Sequence, residues 1–227
     1  MKSLLSFIMC ISSVLLTGIS KADNPAQTIA APHTVALTFD DGPSPIYTPQ
    51  ILAILKKYHI KATFFMVGSN AKLYPEIAQQ VVAEGHAVGS HSMTHPMLTK
   101  LSDAQLYREV VEAENVITQV SGLKPLCLRY PFGASNAHVR QYIRDHGIIP
   151  VPMGFNSFDY DRPGTEKIIS WLLKNLYSRQ VILMHDGYDK REQTVAALPA
   201  VIEGIKKKGL GFSTVCDNSW PYSDLSA

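Results

Sequence analysis

Short apolar runs of four or five residues alternate along this chain with stretches of helical periodicity, and no Asn-Gly hairpin joins any two of them. Strands that cannot turn straight back must run parallel, with a helix as the crossover. The runs are Val35–Phe39, Thr63–Val67, Ala87–Ser90, Leu126–Tyr130, Ile148–Val151, Val181–Met184 and Phe212–Val215. Between them the spacing predicts helices over Pro49–Tyr58, Tyr74–Glu84, 102–120, Ala137–His146, Thr165–Tyr177 and Thr194–Lys208. Ile51, Leu52, Ile54, Leu55 and Tyr58 recur at helical intervals, and Ser102-Asp103-Ala104-Gln105 has the form of a capping box. Two parallel architectures remain, a barrel and an open doubly wound sheet. No Gly-x-Gly-x-x-Gly follows the first run, where the residues are acidic instead, so a dinucleotide site is disfavoured. The chain is also short for a complete eightfold barrel of ~250 residues. The expectation is an α/β fold, a distorted or incomplete (β/α) barrel with parallel strands, in one domain.

The 227 residues are 46% apolar and 18% charged, with 14 Gly and 14 Pro, which excludes disorder, collagen and coiled coil. Lys2 begins a segment with an apolar run from Leu4 to Leu16 and small residues at Ser20 and Ala22. This is the order of a secretory signal peptide over residues 1–22, too short to reach the ~20 apolar residues of a spanning helix. An exported protein, periplasmic or secreted, is expected after cleavage at Ala22, with an uncleaved anchor as the alternative. Residues 23–33 read as a linker, 34–216 as the folded domain and 217–227 as a short polar tail. Without Lys2 and Lys21 the 21 basic residues fall to 19, equal to the 19 acidic ones, so neither nucleic acid nor an anionic membrane is an expected partner. The domain is expected to act as a monomer. Cys127 and Cys216 are the cysteines left beyond the leader, either joined as a disulfide or buried as two thiols.

Polar residues that look misplaced in a core gather at the C-terminal ends of the expected strands: Asp40, Asp41, His91, Arg129, Asp159 and His185. In a parallel barrel those ends form one rim, where sites are built. Adjacent carboxylates at a strand end point apart, so one can ligate a cation while the other stays free to accept a proton. Asp-Asp-Gly-Pro can also be no more than a turn. His91 and His95 form an H-x3-H pair, weak alone, but with an aspartate they satisfy three positions of a metal site and leave one open for water. Asp40 would take the proton of an attacking water. His185, its tautomer held by Asp159, would protonate a leaving amine. His185 satisfied by Asp186 is the plainer alternative. Arg129 at the end of an apolar strand demands a carboxylate partner.

These residues resemble, in order, the five motifs of the polysaccharide deacetylases of carbohydrate esterase family four, the NodB homology domain. The matching segments are Thr38–Ser44, His91–Pro96, Arg129–Gly133, Asn156–Tyr160 and Leu183–Asp186. The resemblance covers about residues 34–216. It implies Asp40 as base, Asp41, His91 and His95 as ligands of a divalent metal, usually zinc, and Arg129 as the residue orienting Asp40. It further implies His185 as general acid tethered by Asp159, the Phe132 backbone N–H as an oxyanion donor, and Tyr160 and Leu183 as the slot for an acetyl methyl. The implied activity is hydrolysis of N-acetyl groups on an N-acetylhexosamine polysaccharide, with peptidoglycan ahead of chitin oligomers and poly-N-acetylglucosamine. An O-acetyl xylan esterase and a catalytically silent carbohydrate-binding protein are the other readings. Tyr130 and Phe132 in the third motif, and Asn156 and Tyr160 in the fourth, depart from the family's usual residues and bear on the sugar groove.

Overall fold

A computed structural model describes residues 33–216, and its first strand, β1 (Thr34–Asp40), is buried at every position. A strand covered on both faces belongs in the middle of a parallel sheet. β1 lies between β2 (Thr63–Met66) and β7 (Val181–His185), parallel to both. The order continues outward through β3 (Ala87–Ser90) and β4 (Cys127–Arg129) to β5 (Ile149–Val151), and on the other side from β7 to β6 (Phe155–Asn156). From β1 the strands therefore follow one another in chain order around a curled sheet, with one unpaired seam between β5 and β6. A doubly wound sheet would reverse its order at a switch point instead. The expected incomplete (β/α) barrel is the fold that forms.

Helices α1 (Tyr47–Tyr58), α2 (Gly68–Leu73), α3 (Pro75–Ala83), α4 (Asp103–Leu106) and α5 (Ala113–Ser121) lie in the first half of the chain. They are followed by α6 (Ala137–Asp145), α7 (Thr165–Asn175) and α8 (Glu192–Lys207). The main core packs Val35, Leu37 and Phe39 of β1 against Ile51, Leu52 and Leu55 of α1 and Leu198, Val201 and Ile202 of α8. The alternate residues of β1 face the barrel interior, where Ala36 joins Phe65, Cys127, Val151, Val181 and Val215. Gly89 belongs to this interior, since a Cβ there would stand 2.5 Å from the Phe65 ring.

Four elements differ from the sequence expectation. The last strand, β8, spans Gly211–Ser213 rather than reaching Val215, and pairs only with Thr34–Ala36 of β1. Val215 instead enters the barrel floor, its N–H donating to Thr63 Oγ1 at 2.9 Å, and Cys216 forms a disulfide with Cys127 of β4. The helix expected over 102–120 is present and Ser102 N–H donates to Gln105 Oε1 at 2.9 Å, but a six-residue π segment, Tyr107–Glu112, separates α4 from α5. α2 and β6 are too short to leave a periodic signal. The leader (1–22), all but the last residue of the linker and the tail (217–227) lie outside the described residues. Among the described residues no helix is long and apolar enough to cross a membrane.

Candidate active site

Residues facing the interior alternate along each strand, and on several strands the last of them is polar. Ala36 and Thr38 lead to Asp40, Gly89 to His91, Cys127 to Arg129, and Val181 and Leu183 to His185. All four end residues line one cleft of about 410 Å³ at the C-terminal ends of the strands, with Asp41, His95, Phe132, Tyr160 and Arg191.

Asp41, in left-handed backbone at φ 76°, sends its carboxylate towards the two histidines. Its Oδ1 lies 3.5 Å from His91 Nε2 and 3.3 Å from His95 Nε2, and this buried oxygen has no hydrogen-bond partner. One donor atom from each residue falls within 4.8 Å of the others. His91 Nδ1 is 3.0 Å from the Arg129 carbonyl, a contact that assigns its proton to Nδ1 and leaves the Nε2 lone pair facing Asp41. Burial and neighbouring His91 hold His95 below the ordinary histidine pKa, against the charges of Asp41 and Asp40. Burial raises the Asp41 pKa, but the adjacent histidines, His91 foremost, outweigh it and the net shift is downward. One carboxylate oxygen and two imidazole nitrogens around an orphaned acceptor fit a divalent cation such as zinc.

On one side of this cluster, Arg129 Nη1 donates to Asp40 Oδ1 and to Thr38 Oγ1, both at 2.7 Å, and its Nε donates to the Pro152 carbonyl at 3.2 Å. Its guanidinium also lies 4.1 Å from the centre of the Phe65 ring. Asp40 Oδ2 remains turned towards the cluster, 3.7 Å from His91 Nε2.

Across the cleft, His185 Nδ1 meets Asp159 Oδ1 at 2.7 Å, and the His185 backbone N–H donates to Asp159 Oδ2 at 2.9 Å. Ser157 Oγ and Thr194 Oγ1 donate to the two oxygens of the same carboxylate, at 2.9 and 2.7 Å. Burial alone would lower the His185 pKa, but the Asp159 hydrogen bond and the charges of Asp159, Asp40 and Asp41 raise it. Asp159 is pushed up by burial and down, by more, through His185 and Thr194. The partner of His185 is thus Asp159 and not Asp186. Asp186 turns away to accept from Thr48 Oγ1 at 2.5 Å, and burial raises its pKa to about 7.

Phe132, at φ 60°, sets its ring edge-on to His95 at 4.6 Å, and the Tyr160 ring stands edge-on to His185 at 5.5 Å. Leu183 completes the wall. Every residue singled out from the sequence therefore reaches the same cleft or its immediate support. Others gave no pattern to find. Arg191 is 4% exposed, donates from Nε to the Gly187 carbonyl at 2.8 Å and places Nη2 3.8 Å from Asp41 Oδ2. Asn70 donates to the Asp41 carbonyl at 2.9 Å. Both come from loops or helix starts of ordinary polar composition, and only folding brings them to Asp41.

The profile of a family described as polysaccharide deacetylase matches residues 28–151. A peptidoglycan-N-acetylglucosamine deacetylase of Bacillus cereus is 37% identical over 81% of this chain and 86% of its own length. A chitooligosaccharide deacetylase of a Bradyrhizobium species is 33% identical, over 80% of this chain and 88% of its own. Among solved structures, a peptidoglycan N-acetylglucosamine deacetylase bound to a hydroxamate-bearing ligand superposes with a TM-score of 0.78 at 31% identity, covering 80% of this chain and 86% of that one.

Proposed function

This chain belongs to the polysaccharide deacetylase family, and on that premise we propose that it is a metal-dependent deacetylase. It removes N-acetyl groups from an N-acetylhexosamine polysaccharide, with peptidoglycan the first substrate and chitin oligosaccharides the second. One observation carries the reading. The Asp41, His91 and His95 cluster is flanked in a single cleft by a carboxylate held on an arginine and a histidine held on a carboxylate.

A divalent cation on Asp41, His91 and His95 would polarise the acetyl carbonyl and ease deprotonation of the attacking water. Asp40 accepts that proton at Oδ2, the oxygen left free when Arg129 binds Oδ1. The Phe132 N–H stabilises the developing oxyanion. His185, its pKa raised by Asp159, donates from Nε2 to the amide nitrogen as the carbon–nitrogen bond breaks. Acetate and a free amine result. Tyr160 and Leu183 bound the slot for the methyl group. Peptidoglycan lies outside the cytoplasmic membrane, and the leader pattern of residues 1–22 supports export to it.

The test is acetate release by zinc-reconstituted protein on peptidoglycan and on N-acetylglucosamine oligomers side by side, with Asp40→Asn as control. Zinc-dependent release that the substitution abolishes supports the reading and ranks the substrates. Release from acetylated xylan alone would replace it with an esterase, and binding without turnover would leave a carbohydrate-binding protein.

A further inference from the structure

The two histidines of the cluster are joined by a three-residue loop that the backbone would not adopt unaided. Ser92 has φ 66° and His95 φ 63°, both in the left-handed region that non-glycine residues avoid. Such a conformation persists only where its surroundings over-determine it. On one side the start of α2 holds the loop, with the Gly68 N–H donating to the Ser92 carbonyl and the Ser69 N–H to the Met93 carbonyl, both at 2.9 Å. On the other side stands Glu109, in the π segment that interrupts the long helix. Its Oε2 accepts from the Met93 N–H at 3.0 Å and from the Thr94 N–H at 2.8 Å, and its Oε1 accepts from Thr94 Oγ1 at 2.7 Å. The Met93 N–H is shared with the Glu109 main-chain oxygen, also at 3.0 Å, so helix backbone and loop are in direct contact. π segments concentrate at functional sites, and this one delivers a carboxylate to the loop between two imidazole ligands.

We propose that Glu109 is a positioning residue of the metal centre, fixing the His91-to-His95 loop so that both Nε2 atoms face Asp41. This rests on the reading of Asp41, His91 and His95 as metal ligands. Glu109 touches neither the reacting atoms nor the cation. It acts through the loop, as the hydrogen-bonding partners of metal ligands do elsewhere, where their loss weakens binding by about 10- to 100-fold. The α2 bonds are backbone to backbone and survive side-chain substitution. Within the loop the His95 N–H also donates to Ser92 Oγ at 2.9 Å, and Glu109 is the part of the clamp outside the loop that a mutation can remove.

Zinc affinity of the purified protein, stripped with a chelator and titrated in competition with a chromogenic chelator, tests the proposal without reference to any substrate. Glu109→Ala is expected to bind zinc at least about 10-fold more weakly than the parent protein. Glu109→Gln keeps an acceptor oxygen for both N–H groups and an amide that can pair with the Thr94 hydroxyl, and is expected to retain most of the affinity. Thr94→Val removes one exposed contact without threatening the fold and is expected to give a smaller loss in the same direction. Equal zinc affinity in Glu109→Ala and the parent overturns the proposal, as does a loss in Glu109→Gln as large as in Glu109→Ala. A parent protein that binds no zinc overturns it too, together with the ligand assignment beneath it.

Discussion

Arg129 is 1% exposed, and its guanidinium is divided among Asp40, Thr38 and the Pro152 carbonyl. Burial pulls it below the ordinary arginine pKa, with Asp40 opposing. Lysine would keep the charge but could not serve three directions from one planar group. Arg129→Lys is therefore expected to lower kcat/KM by about 100-fold through a displaced Asp40 while zinc affinity stays near that of the parent. Arg129→Ala leaves the Asp40 carboxylate buried and unpaired, and is expected to destabilise the fold by about 3–5 kcal/mol, read by thermal or urea denaturation. His185 makes the complementary case. Its folded pKa is raised above the unfolded value, so the His185 and Asp159 pair stabilises the protein fully below that unfolded value and loses this contribution as pH rises through the folded one. The same deprotonation ends its service as an acid, so activity is expected to fall on an alkaline limb above the ordinary histidine pKa. Asp159→Asn should move that limb to lower pH and reduce kcat by about 10²- to 10⁴-fold; an unmoved limb would assign it to another group. Asp40, His91, Arg129 and His185 could be read from the sequence because each puts a polar group at the end of an apolar run. Arg191 and Glu109 could not, because neither breaks a local pattern and their partners lie far along the chain.

At the scale of elements, strand alternation turns sequence into geometry. Because every second residue faces the interior, Ala36, Thr38 and Asp40 form one column and Val181, Leu183 and His185 another, with apolar packing below and polar chemistry at the top. The strands with several consecutive buried residues were visible for this reason. β6 has two residues and α2 six, fewer than a period-based reading can register, and the π segment preserves the apolar spacing of the helix around it. The pairing of Cys127 with Cys216 was equally closed to sequence, since it depends on the segment after β8 entering the barrel floor. The joined cysteines are 89 residues apart, with Cα atoms at 5.3 Å. A link across so long a loop restricts the unfolded chain substantially. Reduction, or the Cys127→Ala and Cys216→Ala pair of substitutions, is expected to cost about 2–5 kcal/mol, seen as a lower Tm in calorimetry with and without reductant. β4 carries both Cys127 and Arg129, but the Thr38, Asp40 and Pro152 contacts hold Arg129 independently of the sulfur. Zinc affinity should therefore change little when the disulfide is opened at a temperature where the protein remains folded.

For the whole molecule the open seam matters. A closed barrel binds every strand on both sides, whereas here β5 and β6 are edges, and the rim above them is held by side chains and loops. The chain order of the strands, and hence the incomplete barrel, was legible because helices alternate with strands throughout; the place of the seam was not, because it falls between two short strands. The candidate metal ligands come from two separate segments of the rim, Asp41 following β1 and both histidines following β3. β2 lies between β1 and β3, so a bound cation would join strands that do not pair with each other. A ligand that binds only the folded state stabilises it by mass action, by about 4 kcal/mol at a free concentration a thousand times its Kd. Zinc added to stripped protein is accordingly expected to raise Tm, and a chelator to reverse the gain. The imidazoles must be neutral to ligate, so the increment should shrink as the solution is acidified. Burial and His91 lower the His95 pKa, so on this ring's account the increment should persist below the ordinary histidine value. His95→Ala should abolish most of the zinc-dependent rise while leaving the metal-free Tm close to that of the parent. A zinc-dependent rise of full size in His95→Ala would place the ion elsewhere and remove the basis for assigning the cleft a metal-assisted reaction.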